Sequence, residues 1–316
     1  MLNLRFRVKP GMTYENMKQK TILIAALTGL LLAGCQTDEL ISEIERPTTG
    51  PWNLTVEASK EIPGQTRIDG ATKALELSGS TLNAYWIDNE QVSVYQGGTY
   101  KGMLTATATG EKSPQATLSG SIEGLSKGDP ITLLFPRKDW DYTGQDGAAP
   151  SPTGDLSTKY DYATADVTIQ SVSVNNITTS GATFENQQSI FRFGFKKGDS
   201  NYSVKAFTLA SSKGKLVQSR TYESSNWTST YGLLSVVPTS TPTDKLYYMA
   251  IRNENTTEAD KFSFYVIGDD NGLYTGSKDI PTSALVNGQF FNAAVSITLA
   301  NFAAASGSIS SASDIF

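Results

Sequence analysis

Short stretches in which apolar and polar residues alternate run through most of the chain after residue 51. The first, WNLTVEA, places Trp52, Leu54 and Val56 on one side and polar residues on the other. A period of two is the pattern of a β-strand with one buried face. Gly, Pro, Asn and Asp separate the stretches, and no amphipathic helix longer than a turn or two is predicted. Similar stretches in the first half are residues 82–86, 92–95, 100–108, 116–122, 131–136, 167–169 and 172–174.

A second set of alternating stretches begins with IFRFGF at residues 190–195. We place a domain boundary near residues 184–189, and expect an N-terminal β-sandwich domain at 52–187 and a C-terminal one at 188–316. The sequence DDNG at residues 269–272 predicts a hairpin turn, because Asn-Gly accepts the positive φ angles that such a turn needs. The other predicted strands of this half are residues 202–209, 215–219, 246–252, 262–267, 273–274 and 290–299.

Residues 137–161 interrupt the strand pattern and are rich in Gly, Pro and Asp. The segment is too long for a simple hairpin loop, so we expect an exposed excursion. Within it, Asp139-Trp140-Asp141-Tyr142 could bind a sugar face or a cation, or could be packed by its own side chains, which is the interpretation we favour. Together with Trp227, its Trp140 and Tyr142 are the candidate ligand contacts.

The N-terminal region has the form of an export signal. Lys18 and Lys20 precede the apolar run TILIAALTGLLL at residues 21–32, which is too short to span a bilayer comfortably. The run ends in Leu-Ala-Gly-Cys, and this ending resembles the lipobox of bacterial lipoproteins. We therefore expect residues 1–34 to be a signal peptide, with a possible true start at Met17, and Cys35 to carry covalent lipid as a membrane anchor.

The residues that follow the cysteine have the composition of a tether. QTDELISEIERPTTGP at residues 36–51 is polar, acidic and proline-bearing, so we expect residues 35–51 to form a lipidated tether. Acidic residues directly after the cysteine resemble the tag that sends lipoproteins of some Gram-negative anaerobes to the outer face of the outer membrane. The expected location is therefore the cell surface, anchored in the outer membrane.

Composition excludes several function classes. The chain has no histidine and one cysteine, which excludes Ser-His-Asp and Cys-His catalysis, His-based zinc sites and an intramolecular disulfide. The net charge of −5 becomes more negative once residues 1–34 are removed, because they carry five basic side chains and one acidic. A nucleic-acid partner would need the opposite sign. We expect no enzymatic activity, no catalytic residue, no metal and no cofactor apart from the lipid on Cys35.

Several segments follow the order found in the fimbrillins, the type V pilin superfamily of Gram-negative anaerobes, and the chain resembles that family over essentially its whole length. Each motif is loose alone, and members usually show Gly-Asp where this chain has Asn89-Glu90. The segments are the lipobox cysteine, the strand at 52–58, the pair Thr66-Arg67, the stretch WIDNEQVSVY at 86–95, the strand at 131–136, and Phe184 followed by IFRF at 190–193.

The resemblance implies two tandem transthyretin-like Greek-key β-sandwiches and a mechanism of assembly. In shaft subunits of that family, an arginine-specific protease removes the first strand, and a strand from a neighbouring subunit fills the groove that remains. The matching cut here falls between Arg67 and Ile68, although a solvated loop residue is an equally good interpretation of Arg67. Arg46 is the other candidate, but Pro47 follows it and should resist cleavage.

The resemblance predicts a structural or adhesive subunit of fimbriae, with other fimbrial subunits as partners. The C-terminal stretch at residues 301–316 is mostly Ala and Ser, which is a weak pattern for a donor strand and leaves an anchor, tip or non-polymerising role open. The alternative function is an outer-membrane lipoprotein that does not polymerise and binds surface glycans through exposed aromatic side chains.

Overall fold

The computed structural model of the chain describes residues 51–61, 75–78, 81–254 and 257–300. Strands dominate these residues, which confirms the all-β prediction. One helical turn, α1 (Asp155–Thr158), and a 3-10 helix (Thr282–Leu285) are the helices of this part of the chain. No helix in it is long and apolar enough to span a membrane.

Eleven strands lie before residue 187. They are β1 (Trp52–Glu61), β2 (Glu76–Ser78), β3 (Thr81–Asn83), β4 (Gln91–Gln96), β5 (Thr99–Ala108), β6 (Gln115–Ile122), β7 (Pro130–Phe135), β8 (Asp139–Asp141), β9 (Ala163–Ser173), β10 (Asn176–Thr179) and β11 (Ala182–Asn186).

Ten further strands follow residue 188. They are β12 (Ser189–Lys197), β13 (Ser200–Asn201), β14 (Val204–Ser211), β15 (Val217–Glu223), β16 (Asn226–Tyr231), β17 (Leu234–Val236), β18 (Leu246–Ile251), β19 (Asp260–Gly268), β20 (Leu273–Ile280) and β21 (Phe290–Leu299).

The first sheet closes on itself. Its strands follow the order β1, β6, β5, β4, β7, β9 and then β10 and β11, and these last two pair with β1 again. The ring encloses a core in which the Trp86 ring meets Phe135 and Phe184 edge to face, with centroids 5.6 and 5.4 Å apart. Val92 and Val94 of the stretch that resembles fimbrillins are fully buried in this core.

The second sheet runs in the order β13, β12, β21, β20, β19, β14 and β17, and β18 pairs with β12. Phe191, Phe193 and Phe195 of β12 are all buried, as the sequence pattern predicts, and Ile190 on the opposite face is buried as well. Around them, Phe207 and Phe264 form a cluster of aromatic contacts with ring centroids 4.8 to 6.5 Å apart. Such pairs add to the burial of apolar area that stabilises the core.

The segment at 137–161 is not the exposed excursion that its composition predicts. β8 pairs with β15, and β15 pairs with β16, so the segment is built into a three-stranded sheet with the C-terminal half. Trp140, Tyr142 and Tyr160 belong to the same buried cluster as the phenylalanines of β12. The prediction was wrong because Gly and Pro indicate loops, while the aromatic residues between them decide where the loop packs.

This crossing segment also completes the second sheet. The Gln145 side chain donates to the Ala250 carbonyl over 2.8 Å and accepts from the Ala250 N–H over 2.7 Å, on the free side of β18. The Tyr248 N–H donates to the Gly147 carbonyl at 3.0 Å, and the Val237 N–H donates to the Gln145 carbonyl at 3.1 Å, beside β17. Residues 145–147 therefore bridge the two outer strands of the sheet.

Candidate functional site

The first strand is the candidate site, because it is paired along both edges. On one side, β1 runs antiparallel to β6 from the pair Trp52–Ile122 to the pair Ser59–Gln115. On the other side it runs parallel to β10 and then to β11. A strand with two paired edges holds the ring closed, so its loss would leave two sets of unpaired backbone groups.

Three side chains of β1 fill the first core. Leu54 and Val56 are fully buried, Ala58 is almost so, and each lies opposite a residue of β6. Full burial of a Leu or Val side chain contributes about 1.5–3 kcal/mol. Asn53 and Glu57 alternate with them and are exposed. The half-buried, alternating strand that the sequence predicts is present, with its apolar face toward the core.

β1 and the described chain that resumes at Leu75 belong to different parts of the fold. β1 packs in the first core, but Leu75, where the described chain resumes, packs in the core of the second sheet. The Leu75 N–H donates to the Ser157 hydroxyl over 2.9 Å. In the sequence, the candidate cleavage pair Arg67–Ile68 lies between β1 and Leu75, outside the described residues. Cys35 and Arg46 precede β1 and lie outside the described residues as well.

Two of the three candidate ligand contacts are buried side chains. Trp140 and Tyr142 are about 1% and 0% exposed, which agrees with the favoured interpretation that the segment is packed by side chains rather than open to a ligand. The Trp140 Nε1 donates to the Arg137 carbonyl, and the Tyr142 hydroxyl to the Gln187 carbonyl. Burial raises the pKa of the Tyr142 hydroxyl well above its ordinary value. Both rings are core side chains whose polar atoms are satisfied internally.

Trp227 is half-buried and is held from several directions. Its ring centroid lies 3.9 Å from that of Trp140 and 5.1 Å from that of Tyr222. The guanidinium carbon of Arg220 lies 4.4 Å from the Trp227 ring centroid, in cation–π geometry. The structure therefore brings together Trp140 and Trp227, two of the three predicted contacts, and leaves part of Trp227 accessible.

A cluster of charged side chains lies beside these rings and could not be predicted from the sequence. Glu254 Oε1 lies 3.3 Å from Arg220 Nε and 3.4 Å from Arg252 Nε, and the carboxylate accepts from the hydroxyls of Ser229 and Tyr231. Burial raises the pKa of Glu254, but the two hydroxyl donors and the arginines outweigh it and hold that pKa below its usual range.

Burial lowers the pKa of Arg220 to about 10, with Arg252 adding repulsion, and the group stays charged at neutral pH. These residues are scattered over two strands and a loop, and no local motif marks them as neighbours.

In the described part of the chain, no group of three or more Asp, Glu, Cys or His side chains is placed to hold a metal ion.

Comparisons with known proteins gave structural matches alone. No protein-family model matches the chain, and no curated protein sequence matches it. Putative cell adhesion proteins from Bacteroides ovatus and Bacteroides uniformis are similar to it at 11% and 13% identity, each with a TM-score of 0.43. The alignments cover 80% and 79% of this chain and 96% and 98% of theirs.

A fimbrial protein from Bacteroides ovatus is similar at 10% identity with a TM-score of 0.33, and the alignment covers 78% of this chain and 49% of that one. These three solved structures are a fimbrial protein and two putative cell adhesion proteins of Bacteroides.

Proposed function

We propose that the chain is a structural or adhesive subunit of fimbriae, anchored by lipid on Cys35 at the surface of the outer membrane. Assembly proceeds by strand exchange after a cut between Arg67 and Ile68 removes β1. The observation that carries the proposal is the position of β1, which closes the first ring and is the first strand of the described residues. The order of segments that the chain shares with the fimbrillins supports the same function.

Removal of β1 would create a template for a new strand. The N–H and C=O groups of β6, and those of β10 and β11, would lose their partners along the length of β1. Leu54 and Val56 would leave large apolar pockets, and Ala58 a small one. Main-chain hydrogen bonds give affinity to such strand addition, and the alternate pockets give it specificity.

The geometry defines what the incoming strand must carry. Its side chains must alternate, with bulky aliphatic residues at the positions of Leu54 and Val56 and a small residue two positions further on. Opposite Leu54, the partner residue on β6 is Gly120. A Cβ on Gly120 would lie 2.2 Å from the Met103 carbonyl oxygen, so the neighbouring strands are already in close contact there. The proposed partner is another fimbrial subunit whose strand has this pattern of side chains.

Mapping the N-terminus of the protein recovered from the cell surface tests the proposal. We expect a chain that begins at Ile68 and carries no lipid in assembled material, and an acylated chain that begins at Cys35 in the precursor. Arg67→Gln should abolish the shorter form, while Arg46→Gln, the matched control in the tether, should leave it unchanged. A surface protein that begins at Cys35 in all material would contradict processing, and equal effects of both substitutions would contradict the assigned cut.

A further inference from the structure

A groove lies on the outer face of the first sheet, over β7 and β9. Its floor is formed by β7 and β9, and its wall by the β15–β16 hairpin. It has a volume of about 590 Å³, and a second depression of about 340 Å³ shares Thr164 and Asp166 with it. These volumes are in the range of small-molecule sites. From this groove we infer a binding site for a neutral oligosaccharide.

The floor presents hydroxyl and carboxylate groups in fixed positions. Thr132 and Asp166 face each other across β7 and β9, and the Thr132 hydroxyl donates to Asp166 Oδ1 over 2.7 Å. Gln187 donates to the Thr164 hydroxyl at 3.0 Å. The second depression adds the side chains of Thr183 and Glu185. Sugar hydroxyl groups donate well to such carboxylates, because a hydrogen bond to a charged acceptor is about twice as strong as a neutral one.

The wall contributes an aromatic surface. Trp227 and Tyr222 both line the groove, and Trp227 is the half-buried one. Contacts of Trp227 with Trp140 and Arg220 fix its ring in place, so little conformational entropy is lost when a ligand packs on it. The C–H face of a pyranose ring is apolar and packs well on such a ring, while its hydroxyls reach the polar floor.

The wall is locked to the floor, so the groove exists before any ligand arrives. Gly98, in the turn between β4 and β5, touches the turn of the hairpin so closely that a Cβ would lie 2.3 Å from the Ser225 backbone nitrogen. The Tyr95 and Tyr222 rings meet edge to face at 5.5 Å. These contacts hold the hairpin over β7 and β9.

The charge of the lining selects the ligand. Both depressions are lined by described residues that include Asp166 and Glu185 and contain no Lys or Arg. A sialylated sugar or a phosphate would be repelled by these carboxylates. A neutral sugar satisfies the carboxylates through its hydroxyls and also uses the aromatic wall, which a simple cation would not need.

Titrations of the full chain in detergent with chitotetraose, maltotetraose and mannotetraose test the site. Tryptophan fluorescence reports contact with Trp227, and calorimetry gives the affinity. We expect at least one of these neutral tetrasaccharides to bind and 3′-sialyllactose not to bind. Asp166→Asn keeps the side-chain shape and removes the charge, and it should weaken binding about tenfold, in line with the strength of charge-assisted hydrogen bonds. Asp279→Asn, an exposed carboxylate on β20, is the matched control and should bind as the original chain does.

Three results would overturn the inference. They are the absence of binding by all three neutral sugars, unchanged affinity in Asp166→Asn, and tighter binding of tetralysine than of any sugar. Because all titrations use the chain with β1 in place, they do not depend on cleavage at Arg67. Failure here leaves the fimbrial proposal standing, and failure of the N-terminal mapping leaves this site standing.

Discussion

The two large sheets are each completed by one segment, but the two closing segments differ in how the chain holds them. β1 closes the first ring and is the first strand of the described residues. Residues 145–147 bridge β17 and β18 of the second sheet and lie inside the chain, between β8 and β9. One backbone cut after β1 separates it from the described strands that follow, whereas residues 145–147 are joined to described strands on both sides. Under the proposed function, the first closure is replaceable and the second is permanent.

The two closing segments also differ in the contacts that hold them in place. β1 contributes a full set of main-chain hydrogen bonds and three apolar side chains, which any strand with a suitable pattern could supply. The second closure depends on the side chain of Gln145, whose amide imitates a backbone unit beside Ala250. A generic strand would not reproduce that contact.

Substitutions in β1 should change the free energy of unfolding more than those at the other sites below. Leu54→Ala removes a fully buried side chain and should lower the free energy of unfolding by about 2–5 kcal/mol. Asn53→Ala, one residue earlier on the exposed face, should change it by about 0.5 kcal/mol or less. Urea denaturation followed by tryptophan fluorescence measures both. Equal effects of the two substitutions would show that β1 is not held by its apolar face.

The next effect concerns the contact that joins the two halves. Gly98→Ala places a Cβ against the backbone of Ser225, and should destabilise the chain by about 1–3 kcal/mol beyond the cost of a positive φ. Gly97→Ala is the matched control, because its φ is also positive, at +55°, and no atom lies within 4 Å of the added Cβ. Thermal denaturation compares the two variants. A larger loss for Gly97→Ala would contradict the docking of hairpin and turn.

A smaller effect is expected at the permanent closure. Gln145→Leu leaves the N–H and C=O of Ala250 without their partners in a buried place, which should cost about 1–3 kcal/mol. Gln218→Leu removes one exposed hydrogen bond, to the Leu233 carbonyl, and should cost less than about 1 kcal/mol. Hydrogen exchange at the Ala250 amide should accelerate in the first variant alone. Unchanged protection there would show that Gln145 is not the bridging group.

The smallest effect is a dependence on pH near the permanent closure. Because the pKa of folded Glu254 lies below its ordinary value of 4.5, its contribution to stability is complete above about that pH. The contribution is lost as the pH falls through the lowered pKa. Glu254→Gln should therefore show a shallower loss of stability on acidification than the original chain, as measured by urea denaturation between neutral and acid pH. Parallel curves would contradict the depressed pKa.

Some of this structure could be read from the sequence. The alternation at residues 52–58 and 190–195 predicts β1 and β12 with the correct faces buried, because period-two burial is a local property. The last strand of the first large sheet ends at Asn186 and the first strand of the second begins at Ser189, while the division into two domains near residues 184–189 stays a prediction. Which strand pairs with which is a long-range property, so the closed ring around β1 could not be derived from the pattern.

The segment at 137–161 shows where local reasoning fails. Its Gly, Pro and Asp residues correctly indicate irregular backbone, yet Trp140 and Tyr142 lie in the core of the second sheet. The role of Gln145 depends on Ala250, far along the chain, and nothing near Gln145 marks it. The groove at Asp166 is equally invisible, since outward-facing Thr and Asp on a strand are ordinary surface residues until a hairpin covers them.

Entry of a free peptide into the place of β1 would show directly whether this strand can be exchanged. The chain is cut with an arginine-specific protease, and a labelled peptide of residues 52–61 is added to cut and uncut protein. We predict that the label enters the cut protein and is excluded from the uncut one, and that a peptide with Asp at the positions of Leu54 and Val56 enters neither. Exclusion of the label from the cut protein, or equal entry into both, would contradict the claim that β1 is a replaceable closure.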